Sequence, residues 1–365
     1  MPQQKKKIAL SWLRRFLLLL IPTLWCVMTY SGHLLFLDNK LLDFRFRARG
    51  ERTAPVKLIY VDIDTRAVQA YRWPWNHSRF AQIIDVLFTQ GKIKAVGFDL
   101  VFSENAKADF GIKEQNEGRL QFGKAIRKYK NVVLAANYVP GPGLLQAKKE
   151  FPWLFDGFTD PSKNDTPEMP GFPVLGPSWG IPGLIDTYQG EARSAPTFAD
   201  TPAGSFYPMS LRLALIHWGL GIDAIKRFPN HMEIRRPDGS LVTSMPVLRG
   251  QLVEATWFSK WVSPMNPRCS VADLGEYMAL IESDDPKKNA IGKEFFAQFN
   301  DALVLIGPVD PLLQDVAKTA FDDVPVPQVG FHGNLIKTFV SGDYLRRLPD
   351  WLNYGLTFLL TILNV

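Results

Sequence analysis

Apolar and polar positions divide this chain into a polar middle held between two uncharged runs. Phe16 to Leu37 carries no Lys, Arg, Asp or Glu over 22 residues, and Trp351 to Val365 is equally uncharged over 15. As a helix the first run is roughly 33 Å long, enough for a hydrocarbon core of about 30 Å. Pro22 and His33 fall inside it, and both are tolerated in spanning helices when neighbours satisfy the freed backbone or the imidazole stays neutral. The pattern predicts a transmembrane helix over 16–37, preceded by a basic cytoplasmic segment over 1–15. A cleaved secretory signal is the alternative, with Lys5, Lys6, Lys7, Arg14 and Arg15 as its basic region. Apolar sequence resumes at Leu34-Leu35-Phe36-Leu37 and no Ala-x-Ala is present, which favours an uncleaved anchor. The second run gives roughly 22 Å of helix and reads as the truncated start of a second membrane helix over 351–365. Five basic residues precede the first run, and Lys40, Arg45, Arg47, Arg49 and Arg52 follow it, so the positive-inside rule does not set the orientation.

Between the runs, 38–350 alternates strand and helix patterns. Lys57–Ile63, Ala95–Phe102, Val132–Tyr138 and Ala302–Gly307 are short apolar stretches of the kind buried on both faces of a sheet. Ser78–Gln90 places Phe80, Ile83, Ile84, Leu87 and Phe88 at helical spacing, with Gly91 as a stop. Helices are also expected over Glu117–Lys130, Ser210–Gly219 and Val329–Val340, a further strand over Gln251–Phe258, and a hairpin around Pro237-Asp238-Gly239. This order predicts an α/β fold: a central, mostly parallel sheet flanked by helices, joined by right-handed crossovers. Two stretches break the rhythm and are read as insertions. One spans about 140–178, with eight prolines, and the other spans about 260–298, charged and interrupted by Pro286.

At 46% hydrophobic residues, the composition is ample for one core. The net charge of +6 lies mostly in the five basic residues before the anchor, so nucleic acid is not an expected partner. Cys26 and Cys269 make no disulfide framework. No Gly-x-Gly-x-x-Gly, Walker loop or Gly-x-Ser-x-Gly elbow occurs, and the five histidines never pair at metal spacing. No cofactor, metal or catalytic group is therefore expected in these residues.

Candidate chemistry gathers where ligands sit in parallel sheets, beyond the carboxyl ends of the strands. Asp62 and Asp64 stand at the end of the first strand, Asp99 within the second with Glu104 beyond it, and Asp310 after the last. Such oxygens suit Mg²⁺, and Asp-x-Asp after a first strand resembles the opening motif of haloacid-dehalogenase-type phosphohydrolases. In that motif Thr or Val stands where this chain has Arg66. Alternatively, Asp64 caps the following turn. Trp73, Trp75 and Arg79 form the most distinctive ligand-binding candidate, two aromatic faces beside a cation near a helix start. Structural packing around Pro74 is the competing reading. His332 is a candidate pH-sensitive group or a helix-start cap.

The order of several segments resembles a known family. Leu42-Asp43-Phe44-Arg45-Phe46-Arg47 follows the anchor, then Ile59-Tyr60-Val61-Asp62-Ile63-Asp64, Trp73-Pro74-Trp75-Asn76-His77-Ser78-Arg79 and Ala95-Val96-Gly97-Phe98-Asp99-Leu100-Val101-Phe102. Leu303-Val304-Leu305-Ile306-Gly307 and Val329-Gly330-Phe331-His332-Gly333-Asn334-Leu335-Ile336 come ahead of the last apolar run. This is similar to the CHASE domain of the second type, a sensory module associated with cyclases and histidine kinases. The resemblance implies an extracytoplasmic input domain on the cytoplasmic membrane, facing the periplasm or exterior. It also implies a homodimer, an unidentified small-molecule or protein stimulus, and a cytoplasmic adenylate or guanylate cyclase, histidine kinase or serine/threonine kinase as output. A non-catalytic partner-binding ectodomain is the remaining alternative to the sensor and phosphohydrolase readings.

Overall fold

A computed structural model of the chain describes residues 2–100, 102, 112–136, 181–185, 192–201, 204–248, 251–313 and 315–363. The expected insertion at 140–178 lies outside the described residues, as does Glu104. Two compact units are present, Met1–Gly50 with Arg346–Val365, and Glu51–Leu345.

The first unit is helical, comprising α1 (Pro2–Tyr30), α2 (Leu35–Arg49) and the C-terminal helix Asp350–Leu363. α1 packs on the C-terminal helix: the Tyr30 and Tyr354 rings meet edge-on at 6.3 Å, and the Cys26 thiol faces the Tyr354 carbonyl at 3.9 Å. The uncharged run 16–37 does not form one continuous helix. α1 ends at Tyr30, and Ser31–Leu34 turn through Gly32 at φ 81° before α2 begins. Left-handed backbone of this kind interrupts the helical hydrogen-bond ladder and is open to glycine at no steric cost. The uncharged part of α1, from Phe16 to Tyr30, is therefore roughly 22 Å long. Among the described residues, no helix is long and apolar enough to cross a membrane.

The second unit is built on six parallel strands. They are β1 (Leu58–Ile63), β2 (Ala95–Phe98), β3 (Val132–Ala136), β4 (Ile181–Leu184), β12 (Arg268–Ser270) and β13 (Leu303–Pro308), in the order β12-β1-β13-β2-β3-β4. Small antiparallel pieces lie outside this sheet. β5 (Ser194–Pro196) pairs β11 (Leu252–Glu254), and β6 (Ala199–Thr201) pairs β7 (Gly204–Phe206). β8 (Ile225–Arg227), β9 (His231–Arg235) and β10 (Leu241–Pro246) form a meander whose second turn is the expected Pro237-Asp238-Gly239. β14 (Val316–Ala317) pairs β15 (Val326–Pro327).

Alternation along each strand sends its side chains into two layers. Ile59, Val61, Ile63, Val96, Phe98, Val304 and Ile306 face α4 (His77–Thr89), α5 (Ile112–Tyr129), α7 (Val271–Ile281) and α8 (Pro286–Ala297), with the short α3 (Thr65–Tyr71) at their edge. On that side Phe80, Phe98, Phe102 and Phe122 form a ring cluster with centroids 5.0 to 5.9 Å apart. Leu58, Tyr60, Ala95, Leu303 and Leu305 face α6 (Met209–Trp218) and α9 (Val329–Ser341), with Trp261 between.

The stretch read as an insertion at 260–298 instead holds β12, α7 and α8. Both helices carry start signals. Ser270 and Asp273 make a reciprocal capping box, and Asp285 accepts from the Lys287 N–H with Pro286 in the first turn. Phe296 of α8 is fully buried in the aromatic layer, so these helices belong to the core.

Candidate functional site

The helices that follow β1, β2 and β12 cover one face of the sheet, whereas α9, which follows β13, covers the other. The chain thus diverges at the carboxyl ends of β1, β13 and β2, the crevice where open parallel sheets place their sites. Register fixes what lies there. Asp62 pairs with Gly307, and Ile306 with Phe98, which puts Asp62, Gly307 and Asp99 in one layer on the α9 side. Two strand spacings separate the aspartate backbones by about 10 Å. At Gly307 any Cβ would approach the Val329 side chain to 2.8 Å, so glycine lets the start of α9 settle on the strand ends.

Asp99 and His332 meet in this layer, with Oδ1 3.6 Å from Nε2 and both side chains nearly inaccessible. Asp99 Oδ2 and His332 Nε2 have no hydrogen-bond partner among the described residues. Burial pushes the Asp99 carboxyl up to about 7 and the His332 imidazole down to about 4, the latter opposed by Asp315. Asp315 is itself pushed up to about 6 by burial, with Asp99 adding to the shift. The positive end of the α9 dipole favours a carboxylate by about 0.3–2 kcal/mol, but the loss of hydration outweighs it. Burial therefore disfavours charge on both members of the pair.

Asp62 has a different partner. Its carboxyl rises to about 6 through burial, opposed by the Arg268 guanidinium at 3.7 Å. Arg268 lies over the Trp261 ring at 3.6 Å, and Trp261 meets Tyr60 edge-on at 5.1 Å. These two aromatic residues fill the space that Gly333 and Gly330 of α9 leave open. Further along α9 the contacts are polar. Asn334 accepts from the Phe258 N–H at 3.0 Å, Thr338 accepts from the Thr256 N–H at 2.9 Å, and Lys337 donates to the Asn266 side chain. Burial lowers the Lys337 ammonium to about 8. All residues from Val329 to Phe339 are buried. α9 is thus a core helix that buries these polar groups with their partners beside the apolar Val329, Phe331, Leu335, Ile336 and Phe339.

Of the other sequence candidates, Trp73, Trp75 and Arg79 lie across the sheet. Asp64 caps α3, accepting from the Ala67 N–H at 2.8 Å and from the Ser270 hydroxyl at 2.7 Å. Trp75 is buried between Trp73, Tyr71 and Phe80, and both indoles pack on the aromatic layer. Arg79 lies over the Tyr71 ring at 4.2 Å and donates to Gln82. It borders a groove of about 710 Å³ between α4, α5 and α7. The structure therefore unites Asp99 with His332 but separates them from Asp64, Trp73, Trp75 and Arg79. Asp62 and Asp64 are engaged by different partners, and among the described residues no group of three or more His, Cys, Asp or Glu is arranged to hold a metal ion. Sequence reasoning missed Asp315, Arg268 and Lys337. Lys337 had a readable signal, a lone cation inside the otherwise uncharged helix Val329–Ser341.

Searches of curated proteins and of solved structures return no match. The family model of the CHASE2 domain matches residues 17–365, nearly the whole chain, including the second half of α1 and the C-terminal helix, and on that match the chain belongs to the CHASE2 domain family, a family of sensory domains.

Proposed function

We propose that this chain is the sensory input part of a membrane-bound signal-transduction protein. The Glu51–Leu345 unit stands outside the cytoplasmic membrane, and a stimulus is passed through the terminal helices to a cytoplasmic output such as a nucleotide cyclase, a histidine kinase or a serine/threonine kinase. The observation that carries this reading is the family match, because it runs through the helical unit as well as the α/β unit. The packing of α1 on the C-terminal helix supports it, since the segments that precede and follow the α/β unit in the chain belong to one helical unit. So does the surface of that pair: Phe16, Leu20, Leu24 and Trp25 of α1, and Trp351, Leu359 and Leu363 of the C-terminal helix, are between 43 and 75% exposed. Apolar surface on that scale suits lipid rather than water.

A stimulus acts by binding one state of the α/β unit better than another, and a homodimer gives the helix pair a partner on which to act. The crevice at Asp99 and His332 is the candidate place for the stimulus, because Asp99 Oδ2 and His332 Nε2 are buried there without a hydrogen-bond partner among the described residues. The test of placement uses the exposed hairpin turn. With Cys26 and Cys269 replaced by Ser, a Ser240→Cys chain is treated in intact cells with a membrane-impermeant maleimide. Labelling without permeabilisation is expected, and labelling only after lysis overturns the extracytoplasmic placement.

A further inference from the structure

α2 has a covered and an open side. Around its axis, at about 100° per residue, Asn39, Leu42, Asp43 and Phe46 share one arc, and these are its buried or half-buried positions. The opposite arc carries Leu37, Leu41, Phe44 and Ala48, all exposed, with Leu37, Leu41 and Phe44 at 42, 57 and 69%. Lys40 and Arg47 border this apolar sector on one side, Arg45 and Arg49 on the other. Phe36, 66% exposed, lies outside it beyond Lys40 and Arg47, with the Lys40 ammonium over its ring. Of the two acids, Asp43 lies in the covered arc and Asp38 beside Arg45 and Arg49.

An apolar sector flanked on both sides by cations is the pattern of a helix lying in the plane of a membrane interface. The aliphatic stems extend along the acyl boundary and the charges reach the headgroups. Four cations around three large apolar side chains complement a dense anionic layer better than they complement the apolar patch of another protein. α2 also follows α1 after only the Ser31–Leu34 turn, so a membrane-inserted α1 would hold it near the bilayer surface. The basic residues after the first apolar run, which left the positive-inside count undecided, then have a use of their own.

We propose that α2 lies in the outer interface of the bilayer. Leu37, Leu41 and Phe44 enter the acyl boundary, and Lys40, Arg45, Arg47 and Arg49 bind the phosphates of anionic phospholipids. This rests on the membrane placement proposed above. The test uses the full chain with Cys26 and Cys269 replaced by Ser, carrying one nitroxide at Leu20→Cys, Leu41→Cys or Phe44→Cys. Each chain is reconstituted into nanodiscs of phosphatidylcholine alone or mixed with phosphatidylglycerol, and spin-label accessibility to oxygen and to a water-soluble nickel chelate is measured.

The labels at Leu41 and Phe44 are expected to be lipid-like in the anionic discs and more water-accessible in the neutral ones. Lys40→Gln and Arg45→Gln should each lower the bound-to-free ratio of α2 about fivefold. Water-like labels at Leu41 and Phe44 in both discs, with Leu20 lipid-like, would overturn the inference alone. A water-like label at Leu20 would overturn the membrane placement. Dipolar coupling between Leu41 labels of two copies would assign the sector to a second chain and overturn the lipid assignment.

Discussion

The two faces of the sheet are covered to similar depth by different chemistry. On the α4, α5, α7 and α8 side the layer is almost wholly hydrocarbon and aromatic, with Phe80, Phe98, Phe102 and Phe122 in mutual contact. His77, lowered to about 4 by burial, is the one imidazole against those rings among the described residues. On the α9 side Asp62, Asp99, His332, Asn334, Lys337 and Thr338 are buried among the apolar residues. Apolar packing is non-directional and loses free energy steadily as atoms are removed. A buried polar layer is stable only while each group keeps its partner or stays neutral. One face therefore sets how stable the unit is. The other sets how its stability depends on protons and on small displacements, which is the property a two-state sensor needs.

The largest expected effect breaks the first face. Phe296→Ala removes a fully buried ring that, among the described aromatic residues of this layer, meets only Phe295 and Phe299. It should cost about 3–5 kcal/mol, read by urea unfolding, with the same loss at pH 5 and pH 8. A loss that varied strongly with pH would dissolve the distinction between the faces.

Next come the titrating groups. Asp99 is raised in the fold, so the stability its protonated form contributes is present below about pH 4 and lost as pH rises toward about 7. Asp99→Asn should therefore stabilise the protein relative to wild type increasingly from pH 4 to 7, with a constant difference above that. His332 is lowered, so its contribution is present above about pH 6.5 and lost as pH falls toward about 4. His332→Gln should flatten that acid limb. Asp62 and Asp315 titrate in the same range, so the measurement is the difference in Tm between variant and wild type at each pH. Parallel profiles would show that the pair bears no linkage.

Much of this arrangement was legible in the sequence. β1, β2, β3 and β13 are buried on both faces and so read as unbroken apolar runs, and the carboxylates at their ends are placed by where those runs stop. β12 is a short edge strand with Arg268 and Ser270 in it, and carries no such run. The caps of α7 and α8 are equally plain in the sequence, but the charges of 284–294 mask them and make the stretch resemble a surface insertion. The partnership of Asp99 with His332 was not legible. It depends on α9 crossing to the face opposite α4, and local periodicity does not say which face a crossover takes. The break in the 16–37 run was hidden for a related reason: an uncharged count does not register the turn at Gly32.

A smaller effect tests how closely α9 sits. Gly333→Ala would drive a methyl group into the Tyr60 hydroxyl, whose ring is 1% exposed and held by Trp261. A cost of about 1–3 kcal/mol is expected. Adding Tyr60→Phe should recover part of it by removing the atom the methyl meets. No recovery would mean that the strain comes from the backbone of α9 and not from this contact.

The smallest expected effect concerns Asp64, which stands two residues beyond Asp62 and whose charge helps raise the Asp62 carboxyl. It accepts from the Ala67 N–H and the Ser270 hydroxyl, so it ties the start of α3 to the start of α7. Asp64→Ala should cost about 1 kcal/mol for the lost cap. Ser270→Ala should cost a similar amount for its own cap on α7, and the double variant should lose less than the sum because the two share a hydrogen bond. Both variants should leave the pH difference profile of Asp99→Asn unchanged, since Asp64 bears on the Asp62 carboxyl but neither residue is among the groups that shift Asp99 or His332. If Asp64→Ala altered that profile, the two faces would be coupled through the ends of β1 and β12, and the sheet would have to be treated as one responsive layer.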